Sequence, residues 1–259
     1  MQVVGSQSPN LRGIRQSHNV LVCDVARLRR TEQLRTCQAV DILDHMTNDF
    51  TVPSLSPLDV ADWRIEMFGI YAQVREIAET DPHGAHVVWR NERDDLFVHH
   101  PASPLLDQKR DDFHGLSYFD YDPAMRFEAV VESAEPETRD VTTGTDGVVT
   151  FERVGIVKPD GIGSLDVWRL AGYGGGIFIP VKDSLAGQDG GTYGAGRYLA
   201  DTIKGAHLGL NGTSLILDFN FAYNPSCVYD PRWLCPLAGS GNTVATEIRA
   251  GERMGRSAA

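Results

Sequence analysis

Apolar runs long enough to cross a bilayer are missing from this chain of 259 residues. Stretches such as Leu215-Ile216-Leu217 and Ile177-Phe178-Ile179 fall far short of the roughly 20 residues a helical span needs. Positive charge is scarce: 24 Lys and Arg face 35 Asp and Glu, for a net charge of −11. That balance disfavours nucleic acid and anionic membrane surfaces as partners. The four cysteines, Cys23, Cys37, Cys227 and Cys235, form no Cys-x-x-Cys motif, and a zinc site on the last two would need two further ligands. No metal is therefore expected. No cleavable apolar signal core opens the chain, so the expectation is a reduced, cytoplasmic protein. Gly194-Ala195-Gly196 lacks the third glycine of a dinucleotide fingerprint, and no Walker lysine follows it. No nucleotide cofactor, and no cofactor of any kind, is expected. Ser103 lacks the Gly-x-Ser-x-Gly elbow of a serine hydrolase.

The chain has ordinary globular composition, 42% hydrophobic and 23% charged, with enough length for one sizeable core. Residues 1–45 carry six Arg against four acids and no aromatic residue, which reads as a disordered extension before a single domain over 46–259. Met46 is a candidate alternative start. Ser56-Pro57 sets up a helix as N-cap and first helical residue. Trp63, Met67, Ile70, Tyr71, Val74 and Ile77 then recur at helical spacing to about Thr80, and Asp81-Pro82-His83-Gly84 reads as the stop. Strands are expected over residues 86–90, 127–133, 148–154, 164–170, 176–181, 214–220 and 243–249. Helices and strands do not alternate, which argues against a doubly wound parallel sheet. The expected fold is α+β: a mainly antiparallel sheet or barrel-like core with a leading N-terminal helix.

Costly polar residues crowd the C-terminal third. Arg197 stands beside glycines and could grip a carboxylate or phosphate with two parallel hydrogen bonds. It could equally pair internally with Asp183 or Asp218. Asp218 and Asn220 sit two apart on an expected strand and so share a face, with Tyr223 following. His100 precedes Pro101, which pushes it toward extended backbone, and an imidazole there can exchange protons near neutrality. These residues suggest an enzyme acting on a small anionic metabolite. In it Asp218 or His100 would move a proton, Arg197 would anchor the anion, and Tyr193, Asn220, Tyr223 and Asp183 would orient substrate. The alternative is a non-catalytic small-molecule binding or accessory domain using the same pocket. Cys227 and Cys235 read as structural thiols, or as a local pair whose loop a disulfide could close.

Several pieces together carry a family resemblance. They are His100-Pro101-Ala102-Ser103-Pro104-Leu105, Phe113–Phe119, Thr192–Leu199, Asp218–Cys227, Cys235-Pro236 and Ala250-Gly251-Glu252. In order and spacing they resemble the domain of unknown function 1684 family, an uncharacterised group of bacterial and archaeal proteins, over roughly residues 57–253. The resemblance implies a shared fold and no stated activity. It also implies acidic residues where this chain has Gly191 and Gly241, so chemistry that depends on those acids would be altered or lost here. Ser184-Leu185-Ala186-Gly187 likewise loosens a Thr-Ser-Gly-like segment.

Overall fold

The protein is described from a computed structural model covering residues 56–143 and 147–255. These fall within a compact unit of residues 52–259; the expected extension over 1–45 lies outside the described residues. The first helix, α1 (Pro57–Ala78), begins where the cap signal places it: the Leu58 N–H donates to Ser56 Oγ at 3.2 Å. Met67, Ile70, Tyr71, Val74 and Ala78 form its buried face.

A second helix, α2 (Pro82–His99), replaces the strand expected over 86–90. Asp81-Pro82 closes α1 and at once opens α2, because Asp81 Oδ1 accepts from the Gly84 N–H at 2.9 Å and Pro82 needs no amide partner at the first helical position. The buried residues Ala85, His86, Trp89, Arg93, Leu96 and Phe97 follow helical spacing, and α2 packs along α1. Two polar side chains, His86 and Arg93, interrupt that face, which hides the period from a hydrophobicity pattern.

Two antiparallel sheets follow, and neither closes into a barrel. The smaller joins β1 (Arg126–Val130), β8 (Ser214–Asp218) and β7 (Leu210–Asn211) in that order. The larger runs in chain order through β2 (Thr138–Thr143), β3 (Gly147–Val157), β4 (Leu165–Leu170), β5 (Ile177–Val181) and β6 (Arg197–Asp201). Side chains alternate across a strand, and this sheet uses both faces. Phe151, Trp168, Phe178 and Tyr198 meet the helices in one core. Val167, Ile179 and Leu199, one residue away, meet Ala129, Leu217 and Phe219 in a second.

The strand expected over 243–249 is absent. Thr243 makes one parallel bridge to Lys182, and the Thr246 carbonyl accepts from the Ser184 N–H at 3.2 Å, but no regular strand forms, although Val244, Ile248 and Ala250 are buried. Just before it, Asn242 is fully buried and joins the diverging strands β4 and β5. Its Nδ2 donates to the carbonyls of Asp166 (2.8 Å) and Pro180 (2.9 Å), while its Oδ1 accepts from Trp168 Nε1 at 2.9 Å. Pro180 has no N–H for the ladder, so a side-chain amide fills the gap.

Replacing the Asp81 cap with alanine should cost about 1 kcal/mol. Chemical denaturation of Asp81→Ala checks this: an unchanged midpoint would mean that Pro82 and packing alone start α2.

Candidate functional site

The sequence-flagged polar residues fall into separate networks, with no hydrogen bond joining them among the described residues. The first centres on Arg197, which is fully buried. Its Nη2 donates to Asp183 Oδ2 at 2.9 Å and to the Ile248 carbonyl at 3.2 Å. Its Nη1 donates to the carbonyls of Ala250 and, at 3.0 Å, Glu252. Asp183 Oδ1 accepts from the Leu185 N–H at 2.8 Å and from Thr192 Oγ1 at 3.1 Å. The expectation that Arg197 anchors a ligand anion is corrected on these grounds. Its anion is Asp183, the Nη1 and Nη2 groups also hold carbonyls of the C-terminal segment, and no solvent reaches it. Asp183, expected to orient substrate, is equally enclosed and occupied.

Two residues that no site role was assigned to complete this core. Arg93 Nη2 pairs with Glu252 Oε2 at 3.0 Å, and Arg93 Nη1 donates to Tyr118 Oη at 2.8 Å. Glu252 also accepts from Asn224, through the backbone N–H at 3.0 Å and through Nδ2 at 3.1 Å. Arg93 lies among the rings of Trp89, Phe97 and Tyr223. Burial pushes the Glu252 carboxyl above its ordinary range, and Arg93 opposes that shift. Glu252 was noted in sequence with Gly251 among the crowded polar residues of the C-terminal third; Arg93 lies just beyond the segment expected as a strand over 86–90 and carried no signal of its own. Tyr223 Oη reaches Asp201 Oδ2 at 3.4 Å, and burial raises its pKa well above the phenol range.

The second network holds Asp218 and Asn220. Strand β8 stops at Asp218, and a single 3-10 turn over Phe219–Phe221 follows, so the expected shared strand face does not form. Asp218 caps that turn instead. Its Oδ1 accepts from the Asn220 N–H at 3.0 Å and from Asn220 Nδ2 at 2.8 Å, while Arg126 Nη1 lies 3.3 Å from Oδ2. Burial raises the Asp218 pKa against these partners.

The third is His100, placed at the C-cap of α2 rather than at a strand's end, with the extended backbone that Pro101 imposes. His100 Nδ1 accepts from the Ala102 N–H at 3.0 Å, and Nε2 lies 3.4 Å from Asp62 Oδ2. Tyr193 stands elsewhere again, its hydroxyl 3.9 Å from Cys227 Sγ. Among the described residues, Arg197, Asp218 and His100 thus belong to three separate hydrogen-bonded networks.

A polar cleft of about 200 Å³ opens in a different place, between the β2–β4 face and the segment Gly239-Ser240-Gly241. Glu137, Arg139, Arg153, Asp166 and Trp168 form its other walls. Arg153 is neutralised by Glu137 (3.0 Å) and Asp166 (3.3 Å). Arg139 is not: its guanidinium lies 5.0 Å from the Trp168 ring and, among the described residues, has no hydrogen-bond acceptor. An apolar niche of about 10 Å³, lined by Phe151, Phe178 and Pro236, adjoins it. Sequence gave no signal for Arg139, an unremarkable residue in Thr138-Arg139-Asp140. The absence of a side chain at 241 matters here, since a Cβ would strike the Asp166 carboxylate; a Cβ at Gly191 would likewise strike the Leu185 carbonyl.

The family model described as "Protein of unknown function (DUF1684)" matches residues 111–253. An uncharacterised protein of Haloarcula marismortui, solved by solution NMR, is 35% identical; the match covers 69% of this chain and 97% of that one, with a TM-score of 0.49. No curated protein matches.

Two measurements probe the buried networks. Arg197→Ala leaves Asp183 without its partner and frees three carbonyls, so it should destabilise the fold by about 3–5 kcal/mol; a loss below about 1 kcal/mol in urea denaturation would refute this structural role. His86 is buried, and burial, with Arg90 adding to it, depresses its pKa to about 4. The unfolded chain then takes up a proton between about pH 6.5 and 4 that the folded chain refuses. Stability should fall over that window by up to about 3 kcal/mol, and His86→Gln should flatten the profile by the same amount.

Proposed function

This chain belongs to the DUF1684 family of proteins of unknown function, and within it we propose a non-catalytic module that binds a small carboxylate in the cleft beside Trp168. The observation that carries this reading is Arg139. It is a half-buried guanidinium backed by an indole ring and lining a polar cleft, with no ion pair to a carboxylate among the described residues. Arginine's planar fork matches a carboxylate bidentately, and the Trp168 face favours a cation in that position. Glu137 and Asp166 both pair with Arg153; the two acids and two guanidinium groups of the cleft sum to zero charge, so an anion there would be held by the directed donors of Arg139 and not by a net positive field. Ser240 adds a hydroxyl at the rim. At about 200 Å³ the space is below the roughly 300–1,000 Å³ of pockets for drug-sized ligands, which selects a small metabolite.

The catalytic reading, with Asp218 or His100 moving a proton, has less support. General acid–base work requires a group within hydrogen-bond reach of substrate, and Asp218 is enclosed with its oxygens engaged.

The test is calorimetric titration of the full chain with a panel of small carboxylates and inorganic phosphate. Arg139→Ala should weaken carboxylate binding by about 1.5–3 kcal/mol, roughly 10- to 150-fold. Its melting temperature should stay near wild type, because the side chain holds no ion pair. Arg139→Lys should recover only part of the affinity. No carboxylate binding to wild type, or equal binding to Arg139→Ala, would sink the proposal.

A further inference from the structure

The charges of the Trp168 cleft are divided between two places. Glu137, just before β2, and Arg139, on β2, are two residues apart, so their side chains leave one face of the sheet about 7 Å from each other. Next to Glu137 comes Arg153, whose Nη1 is 3.0 Å from Glu137 Oε2 and 3.3 Å from Asp166 Oδ1. The other Arg153 donors, Nε and Nη2, are taken by the Glu135 carbonyl at 2.9 and 2.6 Å. Two carboxylates around one guanidinium leave that group with a single excess negative charge. Arg139, in register with Phe151 and lying against the Trp168 ring, is the positive pole.

The segment that forms the opposite wall is fitted to both poles. A Cβ at Gly239 would crowd the Arg139 guanidinium, 2.8 Å from Nη1, and a Cβ at Gly241 would strike the Asp166 carboxylate. Neither glycine has the left-handed backbone that would itself call for glycine, so close approach to the charged groups is what needs the missing side chains. Ser240 lies between them on the wall of the cleft.

With a ligand carboxylate on Arg139, the premise of the proposed function, we infer that the cleft takes a small zwitterion: an amino acid whose ammonium group lies against Glu137 and Asp166. A plain monoanion would satisfy Arg139 and leave the cleft with one uncompensated negative charge. A zwitterion adds no net charge and meets both poles. An ammonium brings three donors and no acceptor, and a carboxylate offers about four lone-pair positions. Glu137 Oε1 has no partner among the described residues, and this side chain is half-exposed where Asp166 is nearly enclosed. Glu137 is therefore the main partner of an ammonium entering from solvent. The adjoining apolar niche of about 10 Å³, lined by Phe151, Phe178 and Pro236, has room for about one small group, so a short side chain fits it and an aromatic one does not.

The test is calorimetric titration of the full chain with amino acids, each set against the acid that lacks its amine: L-alanine and β-alanine against propionate, γ-aminobutyrate against butyrate. At least one amino acid should bind about tenfold or more tightly than its amine-free counterpart. L-Alaninamide, which has no carboxylate, should bind more weakly than L-alanine. Glu137→Gln should remove most of the preference for the amine, while propionate binds the variant at least as well as it binds wild type. Retained propionate binding there shows that the cleft is still formed, which a merely unfolded variant would not give. Equal affinities within every pair would overturn the zwitterion and leave the carboxylate reading standing. Absence of any Arg139-dependent binding, by the acids and the amino acids alike, would overturn both.

Discussion

Arg197 ties down a length of chain that belongs to neither sheet. Residues 248–252 pass through the interior with one isolated bridge, Tyr118 to Glu252, so the carbonyls of Ile248, Ala250 and Glu252 take their donors from a side chain, and a buried carbonyl without a donor is costly. One guanidinium supplies donors to three of them and neutralises its own charge on Asp183. Arg93 repeats the device from α2, pairing with the Glu252 carboxylate at the end of the same segment. Buried ion pairs seldom add net stability over apolar packing. Here the geometry explains the charged solution, because a planar fork can serve several carbonyls at once and an apolar side chain can serve none.

Local signals in the sequence carried the fold a long way. Ser56-Pro57 placed α1, and the β-branched runs placed β1, β3, β4, β5 and β8 within a few residues. Asp81-Pro82 carries the same cap chemistry as Ser56-Pro57, yet a single dipeptide that ends one helix and opens another reads as a turn. Arg197–Asp201 was masked because its glycine-flanked start looks like a loop. The C-terminal segment has a strand's alternation of apolar and polar residues, but it meets other backbone only at isolated bridges and takes further donors from the Arg197 side chain, which no pattern of hydrophobicity reports.

The site was harder to read for a related reason. Residue type reveals that Arg197, Asp183, Asp218 and Asn220 need partners; it does not reveal whether those partners are protein or ligand. In each case the partner is protein. Arg139 shows the reverse situation, an ordinary residue on an exposed-looking strand left without an acceptor among the described residues. Gly241, having no side chain, lets the Asp166 carboxylate pack against its backbone in the same cleft, so the departures from the family pattern bear on the cleft's shape as well as on its charge.

The Arg93–Glu252 pair joins residues 159 positions apart. Loop-closure entropy must be met before so distant a contact can contribute, and chains rich in such contacts fold slowly. On the ribosome, α1, α2 and both sheets emerge while the anchor that closes them is still unsynthesised. Until residue 252 is clear of the exit tunnel, Arg93 lacks its carboxylate, and Arg197 has Asp183 but not the carbonyls of residues 248–252. The nascent chain thus spends most of its synthesis unable to complete its core, a period in which its excess of acidic side chains is what keeps copies apart.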